Sequence, residues 1–288
     1  MDEAFRQALG EGEHYGSRYA MTVPETAHSG LTGQQLGKRP GSSLDFQDYR
    51  DYQPGDDLRS IDWSVYGRTD RLTVKLFREE VIPHVDILLD GSRSMNLAET
   101  PKGAAALQLA AMLATAAANS RCTRAVWIGG EGFRRVRNDS LSASAWDGFD
   151  FSAQRSLVDC FEILPPRLRR MGTRVLISDL FWSEDPAITL RRLSDGAAAT
   201  HVIQFLAEAD ITPPEHGNIQ LEDSETGESM EMFVDSVVGQ RYLEAVRRHQ
   251  SDWHDACRRY GGRFVTLVAE RLPEHFARLE ETGLIVPA

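Results

Sequence analysis

From His84 onward, short apolar runs alternate with helically spaced segments. His84–Asp90 (HVDILLD), Arg124–Gly129 (RAVWIG), Thr173–Leu180 (TRVLISDL), Thr200–Leu206 (THVIQFL) and Phe264–Val268 read as buried strands, with a further strand at Phe133–Arg137. Between them, Lys102–Asn119 reads as an alanine-rich helix and Ser152–Leu164 as a helix stopped by Pro165–Pro166. Ile188–Leu193 begins another helix, and Pro273–Glu281 forms the last. Gln240–Tyr260 places Leu243, Val246, Trp253, Cys257 and Tyr260 on one helical face, and Gly261–Gly262 ends it. Asn218–Asp235 instead alternates with period two about Glu225–Gly227, which predicts an inserted β-hairpin.

This order predicts an α/β fold with right-handed crossovers and a mainly parallel sheet covered on both faces. The first forty residues are polar and punctuated by Gly10, Gly12, Gly16, Gly30, Gly33, Gly37, Pro40 and Gly41, which predicts an irregular arm. The expected organisation is an N-terminal arm over residues 1–83, packed on a main α/β domain over residues 84–288. The hairpin lies near residues 218–235.

Composition narrows the function classes. The 288 residues carry 32 Lys and Arg against 43 Asp and Glu, a net charge of −11. Such a chain is a poor generic binder of nucleic acid, which needs a positive face. Cys122, Cys160 and Cys257 have no CxxC spacing, which argues against a zinc site and fits a reducing compartment. The helix-like run from Gly103 to Asn119 is mostly alanine and short of a bilayer's needs, and the N-terminus lacks an apolar signal core. The expectation is no membrane span and a cytoplasmic location.

Two of the strands end in aspartate at the edge where such sheets hold ligands. Asp90, Ser92 and Ser94 form an Asp-x-Ser-x-Ser pattern, and Asp179 closes the second strand. Carboxylates with hydroxyls and water are a hard-oxygen set suited to Mg²⁺ or Mn²⁺. The alternative is that Asp90 caps the following helix and the serines satisfy loop backbone. A second cluster, Asp56, Asp57, Arg59, Asp62 and Arg68 beside Trp63, reads as an Asp–Arg clamp or as a carboxylate-lined site. Arg167, Arg169, Arg170 and Arg174 read as a solvated basic helix end. No Gly-x-Ser-x-Gly elbow, phosphate-binding glycine loop or HExxH motif is present, and no catalytic residue is assigned.

The string Pro54-Gly55-Asp56-Asp57-Leu58-Arg59-Ser60-Ile61-Asp62-Trp63 resembles the signature of the bacterial domain of unknown function 58 family. Gly41–Phe46 and Arg50–Gln53 precede it, and Arg68, Leu72, Val74, Lys75, Phe77 and Glu80 continue it. The resemblance implies a von Willebrand factor A-like domain. It also implies that Asp90, Ser92, Ser94 and Asp179 match that domain's metal-ion-dependent adhesion site. The threonine such a site draws from another loop has no match at Thr100, Thr115, Thr123 or Thr173; Ser142, Ser144 and Ser152 are substitutes. Arg93 places a cation beside the site. The implied function is a non-enzymatic interaction or adaptor module partnering a MoxR-type AAA+ ATPase, with weak Mg²⁺ or Mn²⁺ binding. The alternatives are a metal-dependent hydrolase using Asp56, Asp57 and Asp62, or a scaffold with a vestigial metal site.

Overall fold

A computed structural model describes residues 2–24, 44–79, 82–224 and 227–288. The chain divides into two compact units, one formed by Met1–Pro24 with Pro83–Ala288 and the other by Glu25–Ile82.

The larger unit begins with α1 (Glu3–Gly16), capped by the Asp2 carboxylate on the Ala4 amide, and the short strand β1 (Tyr19–Met21). The expected irregular arm is therefore wrong over these residues. Gly12 and Gly16 are contact positions rather than turns. A Cβ added at Gly12 would run into the Gln108 carbonyl oxygen, and one at Gly16 into that of Met112. Glycine here lets two helix backbones approach closely. The remaining arm positions Gly30, Gly33, Gly37, Pro40 and Gly41 lie outside the described residues.

The smaller unit pairs β2 (Leu44–Asp51) antiparallel with β3 (Thr73–Glu79), from Leu44↔Glu79 to Asp51↔Thr73. Between them lie a 3-10 turn at Leu58–Ser60 and α2 (Trp63–Thr69). Ile61 bridges Val74, and both are buried. The expected 1–83 arm is thus two pieces that belong to different units.

The main sheet contains β4 (His84–Leu89), β5 (Thr123–Ile128), β6 (Arg134–Arg135), β7 (Thr173–Ser178), β8 (Ala199–Leu206) and, later in the chain, a strand at Arg263–Val268. That last strand is β11, after the hairpin β9 (Gly217–Glu222) and β10 (Ser229–Val234). The order is β11-β8-β7-β4-β5-β6, parallel throughout except for the antiparallel edge strand β6. The hairpin registers Ser229↔Glu222 to Val234↔Gly217, and Glu225 and Thr226 at its tip lie outside the described residues. A final strand, β12 (Ile285–Pro287), pairs with β1.

Four of the crossover helices are α3 (Lys102–Asn119), α4 (Leu157–Ile163), α5 (Pro186–Ser194) and α6 (Glu208–Ile211). They are followed by α7 (Ser236–Arg259) and α8 (Phe276–Glu281). The expected helix over Ser152–Leu164 starts late because Ser156 caps it at the Asp159 amide. α3 is buried on nearly every side, packed with Ile87, Leu89, Val126 and Ile203 of the sheet beneath it and with α1 outside. Its alanines explain the closeness: small side chains let a helix be sandwiched between two layers. The other face is covered by α4, α5 and α7 through Leu157, Leu190, Leu193 and Trp253. No described helix is long and apolar enough to cross a membrane.

Candidate interaction site at the carboxyl edge of the sheet

β4 and β7 are neighbours, with Leu89 opposite Ile177. Asp90 and Asp179, which follow these strands, therefore emerge at the same edge. The Asp90 amide continues the ladder to the Ile177 carbonyl at 3.0 Å. Its carboxylate is held on both oxygens: Oδ2 accepts from the Ser178 hydroxyl at 2.5 Å, and Oδ1 from the Ser92 amide at 3.0 Å. Ser92 and Ser94 hydrogen-bond each other at 2.9 Å. The loop is tied down by Ala153, which bridges Ser92, donates to the Gly91 carbonyl and accepts from the Arg93 amide. The chain turns after Asp179 through Leu180, whose φ of 64° is an unusual left-handed value for a non-glycine residue. The Leu180 amide bonds the Ser178 hydroxyl.

The decisive group is Lys102, the first residue of α3. It is fully buried, and its Nζ donates to Asp179 Oδ2 at 2.8 Å and reaches Asp210 Oδ2 at 2.9 Å. Asp210, on α6, also accepts from the Ala207 amide. The Phe181 ring lies 5.8 Å from Nζ and is 44% exposed, forming an apolar rim above the ammonium. Burial pulls the Lys102 ammonium toward the neutral form, but Asp179 and Asp210 outweigh it and hold its pKa above the ordinary lysine value. Burial, and next the charge of Asp179, pushes the Asp90 carboxyl up to about 6 against the bonds from Ser178 and Ser92.

These contacts test whether a divalent ion fits. A cation already bridges Asp179 and Asp210 at ion-pair distance, each Asp90 oxygen accepts a hydrogen bond, and the two serine hydroxyls share one. Among the described residues no group of three or more His, Cys, Asp or Glu side chains could hold a metal ion. The set of Asp90, Ser92, Ser94 and Asp179 is brought together, and as arranged the positive charge beside Asp179 is the Lys102 ammonium. Arg93, the cation expected here, instead faces the Gln154 side-chain amide, whose oxygen accepts from it at 2.8 Å once that amide is turned. Ser142 and Ser144 bond each other at 3.0 Å, and it is the backbone of Ala153 that meets Ser92.

Lys102, Asp210 and Ser178 were missed in the sequence. One signal was available. Lys102 is the only charged residue of α3 and stands at its N-terminus, where the helix dipole disfavours a cation. A lysine in that place needs carboxylates from elsewhere in the fold.

In the smaller unit the aspartates are engaged, but by other partners than expected. Arg50 grips Asp56 with two bonds, at 2.8 and 2.6 Å. Asp62 meets Lys75 at 3.0 Å, accepts from the Tyr49 hydroxyl at 3.0 Å, and caps α2 at the Ser64 and Val65 amides. The Lys75 bond, with those from Tyr49 and the two amides, draws the Asp62 carboxyl down to about 2 despite its partial burial. Asp57 bonds the Arg59 amide, whereas Arg68 Nε bonds the Ser64 carbonyl. The Arg59 and Arg68 side chains pair with no carboxylate among the described residues, so the expected clamp by these two arginines is replaced by Arg50 and Lys75. Trp63 is 62% exposed and meets Tyr66 edge-on. Nothing is described of the Phe77 side chain, and Glu80 lies outside the described residues.

The family described as "Protein of unknown function DUF58" matches residues 48–140 and 147–252, more than half of the chain. The chain belongs to the DUF58 family. This DUF58 chain is 25% identical over 270 residues to uncharacterized proteins of Mycobacterium bovis and Mycobacterium tuberculosis, covering 87% of this chain and 83% of theirs. Among solved structures, similarity reaches BatB from Bacteroides thetaiotaomicron, at 13% identity, 69% of this chain, 99% of that chain and a TM-score of 0.32. An aerotolerance-related membrane protein from Bacteroides fragilis is 13% identical, over 70% of this chain and 98% of that chain, with a TM-score of 0.33.

Proposed function

We propose that this DUF58 chain is a non-enzymatic protein-interaction module of von Willebrand A-like type that meets a partner at the carboxyl edge of its sheet. The partner implied by the family resemblance is a MoxR-type AAA+ ATPase. The supporting observation is the Lys102 ammonium fixed between Asp179 and Asp210. It offsets part of the buried negative charge of the edge, and Asp179, which it holds, also accepts from the backbone amide of the exposed Phe181. In this reading the adhesion site is vestigial as a metal centre, and lysine does the positioning that an ion performs in a metal-dependent site. A general acid or base works best with a pKa near the working pH and a free path to its proton. Asp56 and Asp62 do not meet that condition, because each is held ionised by a cation. The three cysteines are buried, and burial pushes Cys122 up to about 11 and Cys257 to about 12, which makes them poor nucleophiles.

The test is binding of a MoxR-type ATPase to the immobilised chain, without nucleotide, in Mg²⁺ and in EDTA. The expected result is equal binding in both buffers and a loss of at least ~tenfold for Phe181→Asp, since buried aromatics carry much of interface affinity. Equal binding by wild type and Phe181→Asp removes this edge from the interface. Binding that needs Mg²⁺ and is lost in Asp90→Asn restores the metal-dependent reading.

A further inference from the structure

At the opposite, amino-terminal edge of the sheet lies a cleft of about 1200 Å³. It is built from the loop before β7, the start of β7 and α5 from Ala187 to its cap Asp195, with Phe161 of α4 and Tyr260 after α7. Arg167, Arg170, Arg174, Arg191 and Arg192 line it, against a single lining carboxylate, Asp195. Five guanidiniums in one cleft of a chain with net charge −11 are a local reversal of sign. Their pairing is incomplete. Arg192 meets Glu162 at 3.2 Å. Arg167, Arg170 and Arg191 are exposed and pair with no carboxylate among the described residues. Arg174 is 3% exposed; its Nη1 donates to the Leu193 carbonyl at 2.7 Å, while its Nε has no hydrogen-bond partner. The Ser194 hydroxyl, also on the cleft wall, is likewise unpartnered. Exposed arginines are ordinary, but a buried guanidinium with an unused donor normally has a partner. Between the arginines the wall is apolar, with Phe161, Ile188 and Tyr260.

We propose that this cleft docks an acidic segment of a partner protein, carboxylates meeting the guanidinium forks and an apolar side chain resting on the wall between them. Guanidinium matches carboxylate bidentately, and an apolar wall suits a peptide better than a bare inorganic anion. The cleft also exceeds the usual size of a small-molecule pocket, which suits an extended ligand. The inference rests on the interaction reading for the class of its ligand only, and its assay needs no ATPase, so either can fail alone.

The experiment is fluorescence anisotropy of the full chain with a short fluorescein-labelled peptide of glutamates around one phenylalanine. A matched lysine peptide and inorganic pyrophosphate are the comparison probes. The expected result is salt-sensitive binding of the acidic peptide, weakened at least ~tenfold by Arg170→Glu with Arg191→Glu, because like charges facing each other repel. Both positions are exposed, and an unchanged thermal melt confirms that the variant is folded. Equal binding by wild type and the double variant overturns the proposal. So does equal binding of the lysine peptide, or displacement by pyrophosphate that binds as tightly as the peptide, which makes the site a phosphate site. A dimer in sedimentation that the double variant dissociates overturns it too, since the occupant is then a second copy.

Discussion

The two ends of one sheet handle charge in opposite ways. At the carboxyl edge, Asp90, Asp179 and Asp210 are buried or nearly so, and each has a donor or a cation at bonding distance. At the amino edge, three exposed arginines lack a carboxylate partner among the described residues, and a buried fourth keeps an unused donor. Burial accounts for the difference. A carboxylate taken out of water must be compensated inside the fold, whereas an arginine at a cleft rim remains solvated and can wait for a ligand. The comparison separates two roles that sequence motifs confuse. The edge with the recognisable motif is the one whose charges are spent on structure, and the edge without a motif has charges left for binding.

The sharpest way to break this contrast is to remove the ammonium. Lys102→Met strands Asp179 and Asp210, and we expect a loss of ~3–5 kcal/mol in urea unfolding, the scale for orphaning a buried charge. Adding Asp179→Asn to it recovers part of that loss. A cost below about 1 kcal/mol for Lys102→Met means the triad does not hold the edge.

Asp90 gives the next effect, with a definite sign. Its folded pKa of about 6 lies above the ~3.9 of an unfolded aspartate. The native state therefore binds this proton more tightly, and the resulting stability is fully present below pH ~4 and lost as pH rises through about 6. Relative to Asp90→Asn, wild type should lose on the order of 2 kcal/mol between pH 4 and pH 7.5. Parallel stability–pH curves for the two proteins refute this.

Metal addition sharpens the same point. Millimolar Mg²⁺ or Mn²⁺ should leave the wild-type melt unchanged. Lys102→Ala, with its ammonium gone, should be stabilised by about 1 kcal/mol once the ion exceeds its dissociation constant severalfold. A wild-type shift of that size, abolished by Asp90→Asn, contradicts the assignment of Lys102 as the resident cation.

The smallest effects belong to the amino edge. Arg170→Ala and Arg191→Ala should change stability by no more than ~0.5 kcal/mol, the range of surface substitutions. A larger loss in either shows that the rim arginines are structural after all, and the two edges then differ less than they look.

Much of the fold was legible because periodicity is local. The runs at His84–Asp90, Thr173–Leu180 and Thr200–Leu206 are buried strands, and the alternation around residues 218–235 is a hairpin. α1 was not legible. Its glycines are indistinguishable from turn glycines until α3 is laid against them. The strand-end aspartates were legible as a pair, because a parallel sheet must bring both ends to one edge. Their charge partner was not. The arginines of the 167–174 stretch looked like a solvated helix end, and only the return of α5 with Arg191 and Arg192 turns Arg167, Arg170 and Arg174 into a cleft wall.

By itself, the sequence determined the alternation of strands and helices, the parallel sheet, the hairpin and the edge at which Asp90 and Asp179 emerge. Each of these depends on side-chain order within a few residues or on the handedness of a crossover. Only the tertiary structure decided what those aspartates face. Lys102 and Asp179 are 77 residues apart, and Asp210 comes from yet another crossover. An ion pair across that separation has no period and no spacing; it exists only because three connections return to the same edge. What those aspartates face is therefore decided in three dimensions, by the electrostatic demand of a buried carboxylate for the nearest available cation.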